Sequence, residues 1–236
     1  MRALAIVHEA DAGPGVFLDA FSSRGIRLDE WMIPEGGDPP RALGEYEAVL
    51  TFGGAMHVDQ EKAHPWLVHE KRLLASVLDS GTPLFGVCLG AQLVAEVAGA
   101  KPRRLGEPEI GWYEVELAPA AADDAVLSGL PDRFCAFQWH SYEFPLPPGA
   151  ETLATTPACL QAFRAGAGAW GIQFHAEVTQ TDIAAWIGLL GSDADAKRIG
   201  LDLERLSDET AGRIEAWNGL GRELCGRFLD YASGVT

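Results

Sequence analysis

The amino-acid sequence predicts an α/β fold: an open, mostly parallel central sheet flanked by helices, with a smaller mixed or antiparallel addition and a helical C-terminal tail. Two observations carry this. Through the first hundred residues, short β-rich runs alternate with apolar patterns of helical period. Runs such as Leu84-Phe85-Gly86-Val87 are apolar without alternation, as strands covered on both faces must be. A chain of 236 residues can also bury one sizeable core without splitting in two.

The elements follow in order. Residues 4–7 read as a first strand, too short for a secretory apolar segment. A helix over 16–24 and strands over 27–33 and 48–52 lead into the Gly53-Gly54 turn. Trp66, Leu67, Leu73, Leu74, Val77 and Leu78 give a helix with a broad apolar stripe, stopped by Gly81 and Pro83. The strand 84–87 precedes a helix marked by Leu89, Leu93, Val94 and Val97, ending near Gly99. From 101 to 174 the pattern changes to short strands at 112–117, 134–139, 152–155, 160–164 and 171–174, separated by Pro and Gly signals, which predicts hairpins. A helix over 181–190 and a break at Gly191-Ser192-Asp193 follow, then a helical tail over 196–231 that Gly219 and Gly221 are expected to interrupt. The expected organisation is a domain over 1–191 with a helical extension, 192–236, packed on it.

A formal net charge of −16 argues against nucleic acid and anionic membrane surfaces as partners. The one basic cluster, Lys101, Arg103 and Arg104, reads as the solvated end of a strand. No apolar stretch reaches bilayer length, so a cytoplasmic protein is expected. Cys88, Cys135, Cys159 and Cys225 lack paired spacing, which predicts neither a disulfide framework nor a zinc knuckle, and the last three read as small buried apolar residues. His57, His64 and His69 lack the i, i+4 step of a helical metal site and read as helix surface, so no metal is expected. His8, after the first strand, either approaches the crevice or caps the sheet. Of the seven tryptophans, only Trp139 is expected near the site.

The chemistry concentrates in Gly86-Val87-Cys88-Leu89-Gly90-Ala91-Gln92, where an apolar run stops at a cysteine set between glycines and opens a helix. A sharp strand-to-helix turn holds a nucleophile clear of the backbone, and the positive end of the helix dipole favours negative charge on it. Downstream, Phe174-His175-Ala176-Glu177 supplies a base and, two residues on, a carboxylate to orient it. Oxyanion donors are expected from the backbone N–H groups of Leu89, at the helix start, and Gly54, in the turn after the neighbouring strand. In an open parallel sheet the crevice lies at the carboxyl ends of strands, where all these segments fall.

With these residues in hand, the chain resembles class I glutamine amidotransferases over roughly residues 4–190, most closely the stand-alone proteins similar to the glutaminase part of guanylate synthetase. The resemblance implies a flavodoxin-like fold, with Cys88 as nucleophile, His175 as base and Glu177 as its partner. It also implies attack on the side-chain amide of glutamine through a γ-glutamyl thioester. Gly53, Gln92 and the Trp139-His140-Ser141 segment would hold substrate, Gly54 and Leu89 would form the oxyanion hole, and no cofactor is needed. Four positions depart from the family: Ala55 and Ala176 stand where proline is usual, and Ser141-Tyr142 replaces glycine and aspartate. The expected ligand is glutamine or another γ-glutamyl small molecule, with a separate synthetase subunit as ammonia acceptor. Hydrolysis of γ-glutamyl peptides or amines by the same triad stays open. So does a non-catalytic partner protein, or homo-oligomer, that associates through the apolar face of the tail.

Overall fold

A computed structural model describes residues 1–189 and 193–235. Five strands form a parallel half-sheet: β1 (Arg2–Val7), β2 (Arg27–Met32), β3 (Ala48–Thr51), β4 (Leu84–Val87) and β9 (Ala169–Ile172). Four more extend it: β5 (Arg103–Leu117), β6 (Arg133–Glu143), β7 (Glu151–Thr155) and β8 (Leu160–Ala165). They pair antiparallel, giving one nine-stranded sheet in the order β2-β1-β3-β4-β9-β8-β7-β5-β6. The doubly wound half and the hairpin addition are thus a single sheet. β9 joins them, because it runs parallel to β4 on one side and antiparallel to β8 on the other.

Burial on both faces explains the continuous apolar strands. Ala3, Ala5 and Val7 of β1 face one core, while the alternate residues Leu4 and Ile6 face a second core on the opposite side. Helices α1 (Phe17–Arg24) and α6 (Leu203–Ala232) cover the first core, and α2 (Trp66–Ser80) and α3 (Leu89–Val97) cover the second. Gly81 closes α2 in the left-handed conformation, its N–H donating to the Leu78 carbonyl. The remaining α-helices among the described residues are α4 (Gln180–Leu189) and α5 (Ala194–Arg198), and short 3-10 turns lie at Ile33–Glu35, Leu43–Glu45 and Pro119–Asp123. The predicted end of the helix at Leu190, and Gly191 and Ser192 of the predicted break, lie outside the described residues.

The tail differs from expectation at its glycines. α6 runs unbroken through Gly219 and Gly221 for 30 residues. A β-carbon at Gly221 would stand 2.0 Å from the Ala176 carbonyl oxygen, so this glycine permits close packing and does not end the helix. Leu206, Ile214, Trp217, Leu224 and Phe228 of this helix are buried in the first core with residues of β4, β6 and α1. No helix among the described residues is long and apolar enough to cross a membrane.

Candidate active site

Cys88 sits between β4 and α3 with φ +50° and ψ −108°, alone among the described non-glycine residues in having positive φ. An L-residue pays about 1–3 kcal/mol for such a backbone, so its surroundings must hold it. The Cys88 N–H donates to the Ile172 carbonyl of β9 at 2.8 Å, and the Gly90 N–H donates to the Phe52 carbonyl at the end of β3 at 2.9 Å. Gly90 has no alternative: a β-carbon there would stand 2.2 Å from the Thr51 carbonyl oxygen. The Cys88 thiol, held at the cleft wall, points toward the Trp139 carbonyl oxygen at 3.9 Å.

His175 lies three residues past β9, its N–H donating to the Phe137 carbonyl of β6 at 2.9 Å. Its Nδ1 is 2.7 Å from Glu177 Oε1, and Cys88 stands close enough for its charge to act on the ring. Burial alone would lower the imidazole, but the charges of Glu177 and Cys88 and the hydrogen bond to Glu177 outweigh it and raise it to about 10. Cysteine, imidazole and carboxylate, 89 positions apart at the extremes, are therefore brought together, the imidazole and carboxylate hydrogen-bonded and the cysteine beside them. Ala176 is fully buried between the two acid–base residues.

A cleft of about 550 Å³ opens over these three residues, lined by Cys88, Leu89, Gly54 and His175. Gly53 stands behind its wall, where a β-carbon would meet His175 Cε1 at 2.9 Å, so it backs the imidazole and does not face a ligand. Gln92, Trp139, His140 and Ser141 all line the cleft, but the Gln92 amide nitrogen, the Trp139 indole N–H, both His140 ring nitrogens and the Ser141 hydroxyl have protein partners. Gln92 Nε2 donates to the Tyr142 carbonyl and to Gln173 Oε1, both at 3.3 Å. The Trp139 indole N–H donates to Asp193 at 3.0 Å, and the Ser141 hydroxyl donates to Asp195 at 2.5 Å.

His140 is fixed more tightly. Its Nδ1 meets the Tyr142 carbonyl at 2.9 Å and its Nε2 meets Glu109 Oε2 at 3.0 Å, directly across the β5–β6 pair. Burial pushes the Glu109 carboxyl up, but the hydrogen bond and charge of His140 hold it below its ordinary value. Cys159 and Gln161 complete this buried cluster, with Gln161 Nε2 donating to Glu109 at 2.8 Å. Cys159 is thus the member of a polar network, unlike Cys225, which is buried among apolar residues. The network anchors the end of β6 from which Ser141 and Tyr142 reach the cleft.

Several cleft residues escape a sequence reading. Arg104 is no mere solvated strand end: it lines the cleft and contacts both Asp195 oxygens at 2.6 Å, a pairing across 91 residues that no local pattern reveals. His57 belongs to the loop before α2, stacked on Tyr142 with ring centroids 4.4 Å apart. Trp186 of α4 presents its ring edge-on to His175 at 4.9 Å, so Trp139 is not the sole indole at the site. That signal was available, since α4 follows the histidine directly on the same crevice. His8 is buried beneath the Gly53-Gly54 turn.

The family described as "Glutamine amidotransferase class-I" matches residues 20–186. The chain is 34% identical over 160 residues to a glutamine-hydrolysing GMP synthase of Aeropyrum pernix, covering 65% of this chain and 28% of that protein. It is 31% identical over 154 residues to a gamma-glutamyl-L-1-hydroxyisopropylamide hydrolase of a Pseudomonas species, covering 61% of this chain and 52% of that protein. The chain thus spans about a quarter and about half of the lengths of these two relatives. A crystal structure of a glutamine amidotransferase from Thermotoga maritima superposes with a TM-score of 0.88 at 32% identity, covering 98% of both chains. That full-length likeness includes α6, which lies beyond the matched family segment. The sheet, the elbow and these similarities together place the chain in the class I glutamine amidotransferase family.

Proposed function

We propose that the protein hydrolyses a γ-glutamyl amide through a γ-glutamyl thioester on Cys88. The observation that carries this reading is the grouping of Cys88 with the hydrogen-bonded His175–Glu177 pair at an open cleft. The sulfur attacks the amide carbon, and the resulting oxyanion accepts from the backbone N–H groups of Gly54 and Leu89. Leu89 opens α3, where a first-turn N–H lacks a helical acceptor. His175, held protonated by Glu177, gives its proton to the departing amine as the C–N bond breaks. Water then enters, His175 takes one of its protons, and attack on the thioester releases glutamate and restores the thiol–imidazole pair.

The amine released sets the choice between glutamine and a larger γ-glutamyl amide. The size of the cleft, with Tyr142, His57 and Arg104 on its walls beyond Cys88, supports a larger leaving group as the second reading. In the first reading ammonia passes to a separate synthetase subunit. Purified protein supplied with glutamine and with a series of γ-glutamyl alkylamides separates them by relative kcat/KM. Release of glutamate by wild type and its loss in Cys88→Ala is the expected result; no release from any γ-glutamyl compound removes the proposal.

A further inference from the structure

Under the cleft floor lies a buried pair that the reaction as described does not use. His8 and Glu70 are both essentially inaccessible, and His8 Nε2 is 2.9 Å from Glu70 Oε2. The other carboxylate oxygen of Glu70 accepts the Thr51 hydroxyl at 2.7 Å, and His8 Nδ1 is 2.9 Å from the Gly53 carbonyl oxygen. Both neighbours of the ring are acceptors, so the hydrogen-bond geometry calls for an imidazole that donates from both nitrogens. Burial opposes charge on the ring, but the charge and hydrogen bond of Glu70, with the Gly53 carbonyl and Glu9, raise His8 above its ordinary value. Trp66 stacks on the ring at 5.2 Å and fixes its plane.

The partner of Nδ1 matters because Gly53 C=O and Gly54 N–H belong to one peptide unit. That unit is trans, so its carbonyl and its N–H point in opposite directions. A donor gripping the carbonyl from behind therefore turns the N–H the other way, toward the cleft that Gly54 lines with Cys88 and Leu89. Among the described residues no acceptor takes this N–H, whereas the next one, of Ala55, donates to Glu9 at 2.9 Å. Without a side chain on either glycine, the peptide unit has little intrinsic barrier to inverting.

We propose that His8 is a positioning residue for the oxyanion hole: by donating Nδ1–H to the Gly53 carbonyl, it locks the Gly54 N–H toward the reacting carbon on Cys88. Glu70 holds the ring in place and Thr51 holds Glu70. The inference deepens the proposed hydrolysis, whose oxyanion it serves, but it applies to any acyl transfer to Cys88.

The test uses that independence. Asparagine places an amide nitrogen where His Nδ1 stood, whereas glutamine places one where Nε2 stood. Glu70→Gln avoids orphaning a buried carboxylate in either case. Wild type, Glu70→Gln, His8→Asn/Glu70→Gln and His8→Gln/Glu70→Gln are each treated with p-nitrophenyl acetate, whose attack by Cys88 creates an oxyanion, and with iodoacetamide, whose displacement creates none. Adducts on Cys88 are counted by mass spectrometry. The expected result is an acylation rate lowered ~10²-fold in the glutamine double variant, the loss typical of one missing oxyanion donor, and within about fivefold of wild type in the asparagine one. Alkylation should stay unchanged in all four. Equal acylation by the two double variants, or parallel loss of acylation and alkylation, overturns the inference. Failure of the γ-glutamyl reading has a different signature: no turnover of γ-glutamyl compounds, with this contrast between the two reagents intact.

Discussion

The indole of Trp217 donates to the carbonyl oxygen of His175 at 2.8 Å, so the C-terminal helix holds the backbone of the proposed base directly. The next residue, Asn218, donates from Nδ2 to the Val178 carbonyl at 2.8 Å, and one turn along Gly221 lies against Ala176. The segment from His175 to Val178 is therefore gripped by α6 at His175, Ala176 and Val178, while the Glu177 carbonyl accepts from the Val16 N–H at 2.8 Å. Gly221→Ala should destabilise the fold by ~2–3 kcal/mol in urea titrations, the cost of overpacking against backbone that cannot yield. In the same variant kcat should fall more than KM rises.

Trp217→Phe removes the donor and keeps most of the ring. The His175 carbonyl is then buried without its partner, which should cost about 1–2 kcal/mol by denaturant midpoint. Trp217 also packs on Trp112, Phe134 and Phe174, so Trp217→Ala should cost more, ~3–5 kcal/mol.

The raised His175 makes stability depend on pH in a defined direction. A group bound more tightly to its proton in the folded state contributes fully below its ordinary value of 6.5 and loses that contribution as pH climbs to about 10. The urea midpoint of wild type should fall between pH 7 and 10. In Glu177→Gln, which removes the charge that raises the imidazole, the fall should be shallower. That variant should also lose roughly 10²–10⁴ in kcat, as expected when the group orienting a catalytic imidazole loses its charge.

Asp195 is tied to Arg104, Ser141 and Arg198, and thereby fastens α5 to β5 and to the end of β6. Asp195→Ala should loosen Ser141 and Arg104 at the cleft without touching Cys88, His175 or Glu177. The expected result is a KM about tenfold higher, equivalent to one lost polar contact, with kcat within about threefold.

The sequence exposed the parts of the site that obey local rules. A cysteine between glycines at the end of an apolar run, and a histidine with a carboxylate two residues on, are short-range signatures, and both segments end parallel strands. The extent of β5 was less legible. Its 15 residues begin at Arg103, but the stretch before Trp112 carries Gly, Pro and several charges, and its register shifts between Arg104 and Glu109. The polar networks were not legible at all, because His8–Glu70 and Arg104–Asp195 join residues 62 and 91 positions apart. Glycines misled in α6 for a related reason: composition speaks of helix propensity, whereas Gly221 answers to a carbonyl on another segment.

The hydrogen bond from Gly90 to Phe52 couples the first turn of α3 to the residue that precedes the two glycines. Thiol and amide donors are consequently mounted on the same chassis. If the sheet flexes, the bearing of one on the other is preserved.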